Sequence, residues 1–129
     1  MMTVNNIRGC MTNGYTGIRE YTNGSKSWHL NGLYHRTDGP AVERIDGHKE
    51  WWLNGKHHRE DGPAIIHGSG SKEWVLNGKH HREDGPAVER ADGSRAWFLN
   101  GKEYTKEEYY KRLYKKGLIS KEEYFLEFI

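Results

Sequence analysis

The sequence predicts a mainly β protein: an elongated antiparallel sheet of repeated β-hairpins with a C-terminal helical cap. Three observations carry that expectation. Trp28, Trp51, Trp74 and Trp97 recur at an interval of 23 residues, and Leu30, Leu53, Leu76 and Leu99 keep the same interval, as do Asn31, Asn54, Asn77 and Asn100. Each unit carries two glycine-containing turn signals between short β-branched or aromatic runs. After Lys102 the pattern stops and a helical spacing of apolar residues takes over.

Four units occupy residues 15–104 of a single domain spanning 1–129, with residues 1–14 as an N-terminal segment. The first unit is fainter. Its "IREYTNGSKSW" aligns with "AVERIDGHKEW" one period later, but it lacks the block "HRxDGPA" that is anchored at Asp38, Asp61 and Asp84. Within a unit, segments such as "PAVER" and "RAWFL" read as strands joined at Asp92-Gly93. Asn23-Gly24, Asp46-Gly47 and Ser69-Gly70 occupy the same place. Such pairs favour the positive φ values of tight hairpin turns. The Asn-Gly of "LNGK" supplies the second turn. Pro40, Pro63 and Pro86 fall at strand starts, where a missing N–H is tolerated.

Side chains two apart share a strand face. Trp and Leu of each "WxL" therefore form one seam, and the intervening His29, Trp52, Val75 and Phe98 point to the other, variable face. One hairpin cannot bury its Trp alone, whereas stacked hairpins share a continuous apolar seam. Burying each large side chain contributes about 1.5–3 kcal/mol.

Residues 105–129 read as two short helices. Thr105 with Glu108, and Ser120 with Glu123, are capping-box pairs. Tyr109 and Leu113 form one stripe, Tyr110 and Tyr114 run parallel to it, and Lys115, Lys116 and Gly117 suit the helix end. A repeat array needs its last seam covered, so these helices are expected to cap the final hairpin. The alternative is that Tyr114, Phe125 and Phe128 dock another protein or a second copy of the chain. Either way the ending "YFLEFI" is expected to be packed.

Composition narrows the classes of function. Twenty basic and eighteen acidic side chains leave a net charge of +2, too little for a long nucleic-acid track or an anionic membrane surface. The single Cys10 excludes an internal disulfide and points to a reducing compartment. No stretch reads as a signal peptide or membrane span, so a cytoplasmic location is expected.

The block "NGKHHREDGPA", identical at 54–64 and 77–87, invites four readings. His57, His58 and Asp61 are competent metal ligands, but no Cys joins them, Tyr34 replaces the first histidine in one copy, and the spacing matches no familiar site. Acid–base catalysis would need one copy to differ and a nucleophile beside it, and the copies look alike. No metal, cofactor or enzyme activity is therefore expected. Arg36, Arg59 and Arg82, with His58 and His81, could instead bind a small phosphorylated ligand such as a nucleotide signal. The fourth reading is structural: Asp accepts backbone N–H bonds in a turn, and each Arg pairs with an Asp of its own or the adjacent unit, a ladder that sets the register of the hairpins. Position-for-position repetition is what that reading predicts. Function is then expected where the units differ, at His29, Trp52, Val75, Phe98 and Tyr34, with Ile66 and His67 nearby. Trp52 is the leading candidate for partner binding, because exposed Trp is enriched in hot spots.

The 23-residue period, the "NGKxH" block, the later "DGS" and the aromatic before the next "NGK" resemble the MORN repeat family across about 90 residues. The usual Tyr-x-Gly and His-Gly-x-Gly are replaced here by "HREDGPA". The chain is more similar to short "HREDGPA" repeat proteins of the kind phages and prophages encode. That resemblance implies a hairpin-repeat fold and a binding role without catalysis. It makes an inhibitor of a bacterial defence system, such as a CRISPR nuclease, the most concrete expectation, acting in the cytoplasm of a bacterial host on a protein partner. The membrane association of some MORN proteins does not carry over, because lipid-facing aromatics and a basic excess are lacking.

Overall fold

The structure is a computed structural model that describes residues 14–128, with the backbone alone at Phe128. Cys10, the 1–13 part of the N-terminal segment and the side chain of Phe128 lie outside the described residues. The described residues form fourteen strands followed by two helices: β1 (Gly17–Glu20), β2 (Lys26–Leu30), β3 (Leu33–Tyr34), β4 (Val42–Glu43), β5 (Lys49–Glu50), β6 (Trp52–Leu53), β7 (Lys56–His57), β8 (Ile65–Ile66), β9 (Lys72–Glu73), β10 (Val75–Leu76), β11 (Lys79–His80), β12 (Val88–Glu89), β13 (Arg95–Leu99), β14 (Lys102–Tyr104), α1 (Lys106–Lys115) and α2 (Lys121–Phe128). Ten strands make one antiparallel sheet, in which β1-β2-β4-β5-β8-β9-β12-β13-β14 are neighbours and β3 branches off β2. The hairpins β6-β7 and β10-β11 stand beside it.

The Trp residues explain why a single strand serves two hairpin rows. The Trp51 N–H donates to the Ala64 carbonyl on the main-sheet side, while its own carbonyl accepts from the His58 N–H on the other. Trp28 does the same with Ala41 and His35, and Trp74 with Ala87 and His81. The chain thus crosses from one row to the next at each Trp, and in the two middle units the ladder breaks there.

The two turn types differ in a way the glycine pairs alone did not distinguish. In "LNGK" both central residues are left-handed: Asn31, Asn54, Asn77 and Asn100 have φ of 49–52°, as a two-residue hairpin of this hand requires. At Asp46-Gly47 and its equivalents only the glycine has positive φ. The Gly47 N–H closes on the Arg44 carbonyl, and the Arg44 N–H reaches the His48 carbonyl. That is a type I turn followed by a glycine bulge. The three prolines sit in the loops before the strands, which begin two residues later at Val42, Ile65 and Val88.

Both predicted capping boxes form: Thr105 Oγ1 accepts from the Glu108 N–H, and Ser120 Oγ from the Glu123 N–H. Helix α1 buries Tyr109 and Leu113 against Leu99, with Trp97, Tyr104, Tyr110 and Ile119 packed around them. It covers the last hairpin. The expectation that the whole ending is packed is corrected for α2. Tyr124 lies against Tyr114, with ring centres 5.2 Å apart, but Phe125 is 49% and Leu126 78% exposed.

Candidate functional site

The repeated arginines are turned inward. Arg36 donates from Nε to Asp38 (2.8 Å) and from Nη1 to the Pro40 carbonyl (3.1 Å) and Glu43 (3.3 Å). Arg82 repeats all three bonds with Asp84, Pro86 and Glu89. Arg59 repeats two, with Asp61 and Pro63, since Ile66 stands where the others have Glu43 and Glu89. Each guanidinium also lies flat on a Trp of the seam, 3.9 Å above Trp28, 3.9 Å above Trp51 and 3.8 Å above Trp74, a cation–π contact. The Arg36 hydrogen bond and charge hold the Asp38 carboxyl below its ordinary range. The row of free guanidiniums expected to take a phosphate at Arg36, Arg59 and Arg82 is therefore corrected: Nε and Nη1 of each already bond acceptors beside them.

The histidines of the block divide into two sets. Nδ1 of His35, His58 and His81 accepts the backbone N–H of Asn54, Asn77 and Asn100 at 2.9–3.0 Å. Each thus ties the left-handed turn 19 residues on to the start of its own block. Thr16 Oγ1 accepts the Asn31 N–H in the first unit. The other set, His57 and His80, points to the opposite face, where Nε2 meets Glu50 and Glu73 at 2.7 Å. His48 and His67 reach the second oxygens of those carboxylates at 2.7 and 2.6 Å. Burial alone would raise the Glu50 carboxyl, but the bonds from His57 and His48 outweigh it and hold it at about 2. The same balance lowers Glu73. Among the described residues no group of three or more His, Cys, Asp or Glu is arranged to hold a metal ion.

Three of the five variable-face residues are buried, and Trp52 and Phe98 are half-buried. His29, Tyr34 and Val75 are only 3–4% exposed. Trp52 is half-buried against Tyr34, Ala41 and Val42, and its Nε1 donates to Glu50. Ring contacts run His29–Tyr34 (5.0 Å), Tyr34–Trp52 (5.2 Å) and Trp52–His57 (3.7 Å), and Phe98 lies 5.0 Å from His80. The expectation of an open partner surface is corrected for His29, Val75 and Tyr34, which are buried, while Trp52 and Phe98 are partly exposed. His29, Tyr34 and Trp52 pack in sequence beside Ala41 and Val42, whereas half-buried Phe98 lies on His80 and lines an open groove with His67 and Glu73. Burial, then the Arg19 charge, lowers the His29 ring to about 4, so it sits there neutral.

Larger open grooves lie on the Trp–Leu side. Two equivalent grooves run between successive blocks. One has Trp51 and Leu53 as its floor, between the loops of Asp38 and Asp61, and the other has Trp74 and Leu76, between those of Asp61 and Asp84. Their volumes are alike, about 610 and 660 Å³, so the same cavity is made twice. Their rims are acidic and exposed: Asp61 and Asp84 by 86% and 85%, Glu60 and Glu83 by 84% and 54%. Sequence reasoning passed over Glu60 and Glu83. Both occupy the "x" of "HRxDGPA", the one position the block leaves free.

Among the described residues no helix is long and apolar enough to cross a membrane. In comparisons with known proteins, the chain matches no family model, no curated protein and no solved structure.

Proposed function

We propose that the chain is a non-catalytic protein-interaction module, a MORN-like array of hairpin repeats that holds its partner on the grooved Trp–Leu face. One observation carries the reading: the same groove, with an apolar floor and exposed carboxylates on its rim, is built twice by successive units. Repetition gives a track along which a partner gains contacts unit by unit. An acidic track suits a cationic protein surface. Proteins that hold nucleic acid present such surfaces in Lys and Arg. The likeness to phage-type repeats supports a bacterial defence nuclease as that partner. A phosphorylated ligand fits less well, because the rim carboxylates would repel it and the arginines are engaged.

The test compares the wild-type chain with a Glu60→Lys, Glu83→Lys double variant, each used as bait in a bacterial lysate and read by native mass spectrometry. The wild type is expected to retain a protein that the variant, folded by circular dichroism, loses. Equal retention by both chains would overturn the grooved face. A small added mass that disappears on denaturation would return the His/Arg row to consideration.

A further inference from the structure

The groove spacing points to the conformation and charge of the segment that fills it. Each unit adds two strands to the main sheet, as β2 to β5 and β5 to β9 show. At about 4.8 Å per strand the grooves repeat roughly every 9.6 Å across the sheet. A polyproline II segment turns once in three residues, about 9.3 Å, and presents one side chain per turn on a given side. An extended β segment puts residues three apart on opposite faces. An α-helix matches only through residues seven apart, at about 10.5 Å. The first fit is the closest.

Charge fixes the side chain. The groove floored by Trp51 is lined by three carboxylates, and that floored by Trp74 by four. The two guanidiniums lining each are already paired with their own Asp. Glu60 contributes to both grooves and carries the most exposed glutamate head of the rim. Arginine suits such a place, its stem lying on Trp and Leu and its head reaching a carboxylate on the rim. Toward the C-terminus the track stops, because Tyr109 of α1 occupies the loop after Arg82 by bonding its carbonyl and the Gly85 N–H.

We therefore propose that the two grooves take an extended, polyproline II segment of a partner protein bearing arginine at every third position, one arginine in each groove. The inference rests on the interaction reading above. Its probe is a peptide of three Arg-Pro-Pro repeats, set against one of identical composition with its arginines adjacent, and against a helical peptide with arginines seven apart. Fluorescence anisotropy with the whole chain is expected to give about tenfold tighter binding of the every-third peptide. That preference should disappear in the Glu60→Gln, Glu83→Gln variant and weaken in high salt. Equal binding of all three peptides would overturn the spacing argument, and tighter binding of the helical one would replace the segment by a helix. If no peptide binds while the lysate partner still depends on Glu60 and Glu83, the inference fails and the interaction reading stands. Loss of that dependence removes both.

Discussion

Gly62 shows how narrowly a single position in the block is set. A Cβ at Gly62 would stand 2.9 Å from Arg59 Cζ, and at Gly39 and Gly85 the equivalent distances to Arg36 and Arg82 are 3.0 and 3.1 Å. Gly39 and Gly62 are absent from the left-handed set, so clearance for the guanidinium, not backbone freedom, is what demands glycine there. Gly62→Ala should lift Arg59 off Trp51 and cost about 1–2 kcal/mol, measured as a shift in the urea midpoint. Titration gives a second expectation at this scale. His29 falls from 6.5 to about 4 on folding, so the unfolded chain takes up a proton between those values and the folded chain does not. Its contribution is whole above pH 6.5 and lost as the pH falls through 4, about 3 kcal/mol in all. Glu50, held at about 2, adds a further loss below pH 4.5. Urea midpoints measured from pH 7 to pH 4 should fall, and His29→Phe should flatten that slope while leaving the fall below 4.5.

At the scale of elements, helix α1 takes the place that a further "HRxDGPA" block would fill. Tyr110 packs beside Trp97 where an arginine covers the other three Trp, and Tyr109 bonds the preceding block directly. Burial raises the Tyr109 hydroxyl well above its ordinary range, so it remains a donor. Tyr109→Phe strands the Gly85 N–H and the Arg82 carbonyl, and about 1–3 kcal/mol of stability should go with it. Hydrogen exchange should rise at Gly85 and in the last hairpin before it rises elsewhere. These elements were legible to different degrees. Capping residues and the Asn-Gly turns act locally, so Thr105, Ser120 and Asn54 announced themselves in the sequence. The bulge at Gly47 did not, because Asp-Gly serves two turn types and only the flanking backbone bonds choose between them. Alternation placed Trp52 correctly opposite Trp51. It could not say which face would be covered, because that depends on how the hairpin rows meet.

Over the whole molecule the contacts repeat with the sequence. Arginines lie on Trp28, Trp51 and Trp74, and histidines accept from Asn54, Asn77 and Asn100, one period apart each time. Such bonds link neighbouring units that share few large apolar contacts, and stability becomes a sum over interfaces. The repetition of the block announced that its contacts would repeat, as the Arg–Asp and His–Asn bonds do. The acidic grooves were not legible, because a groove exists only once two loops stand side by side, and net charge averages over faces that differ. On the reading proposed above, the Arg and His of "HRxDGPA" hold the units together and its exposed carboxylates meet the partner. Urea unfolding of Arg59→Met tests it most directly. Losing the bonds to Asp61 and Pro63 and the contact on Trp51 should lower stability by about 2 kcal/mol with an unchanged slope. An unchanged midpoint would contradict that role for the block.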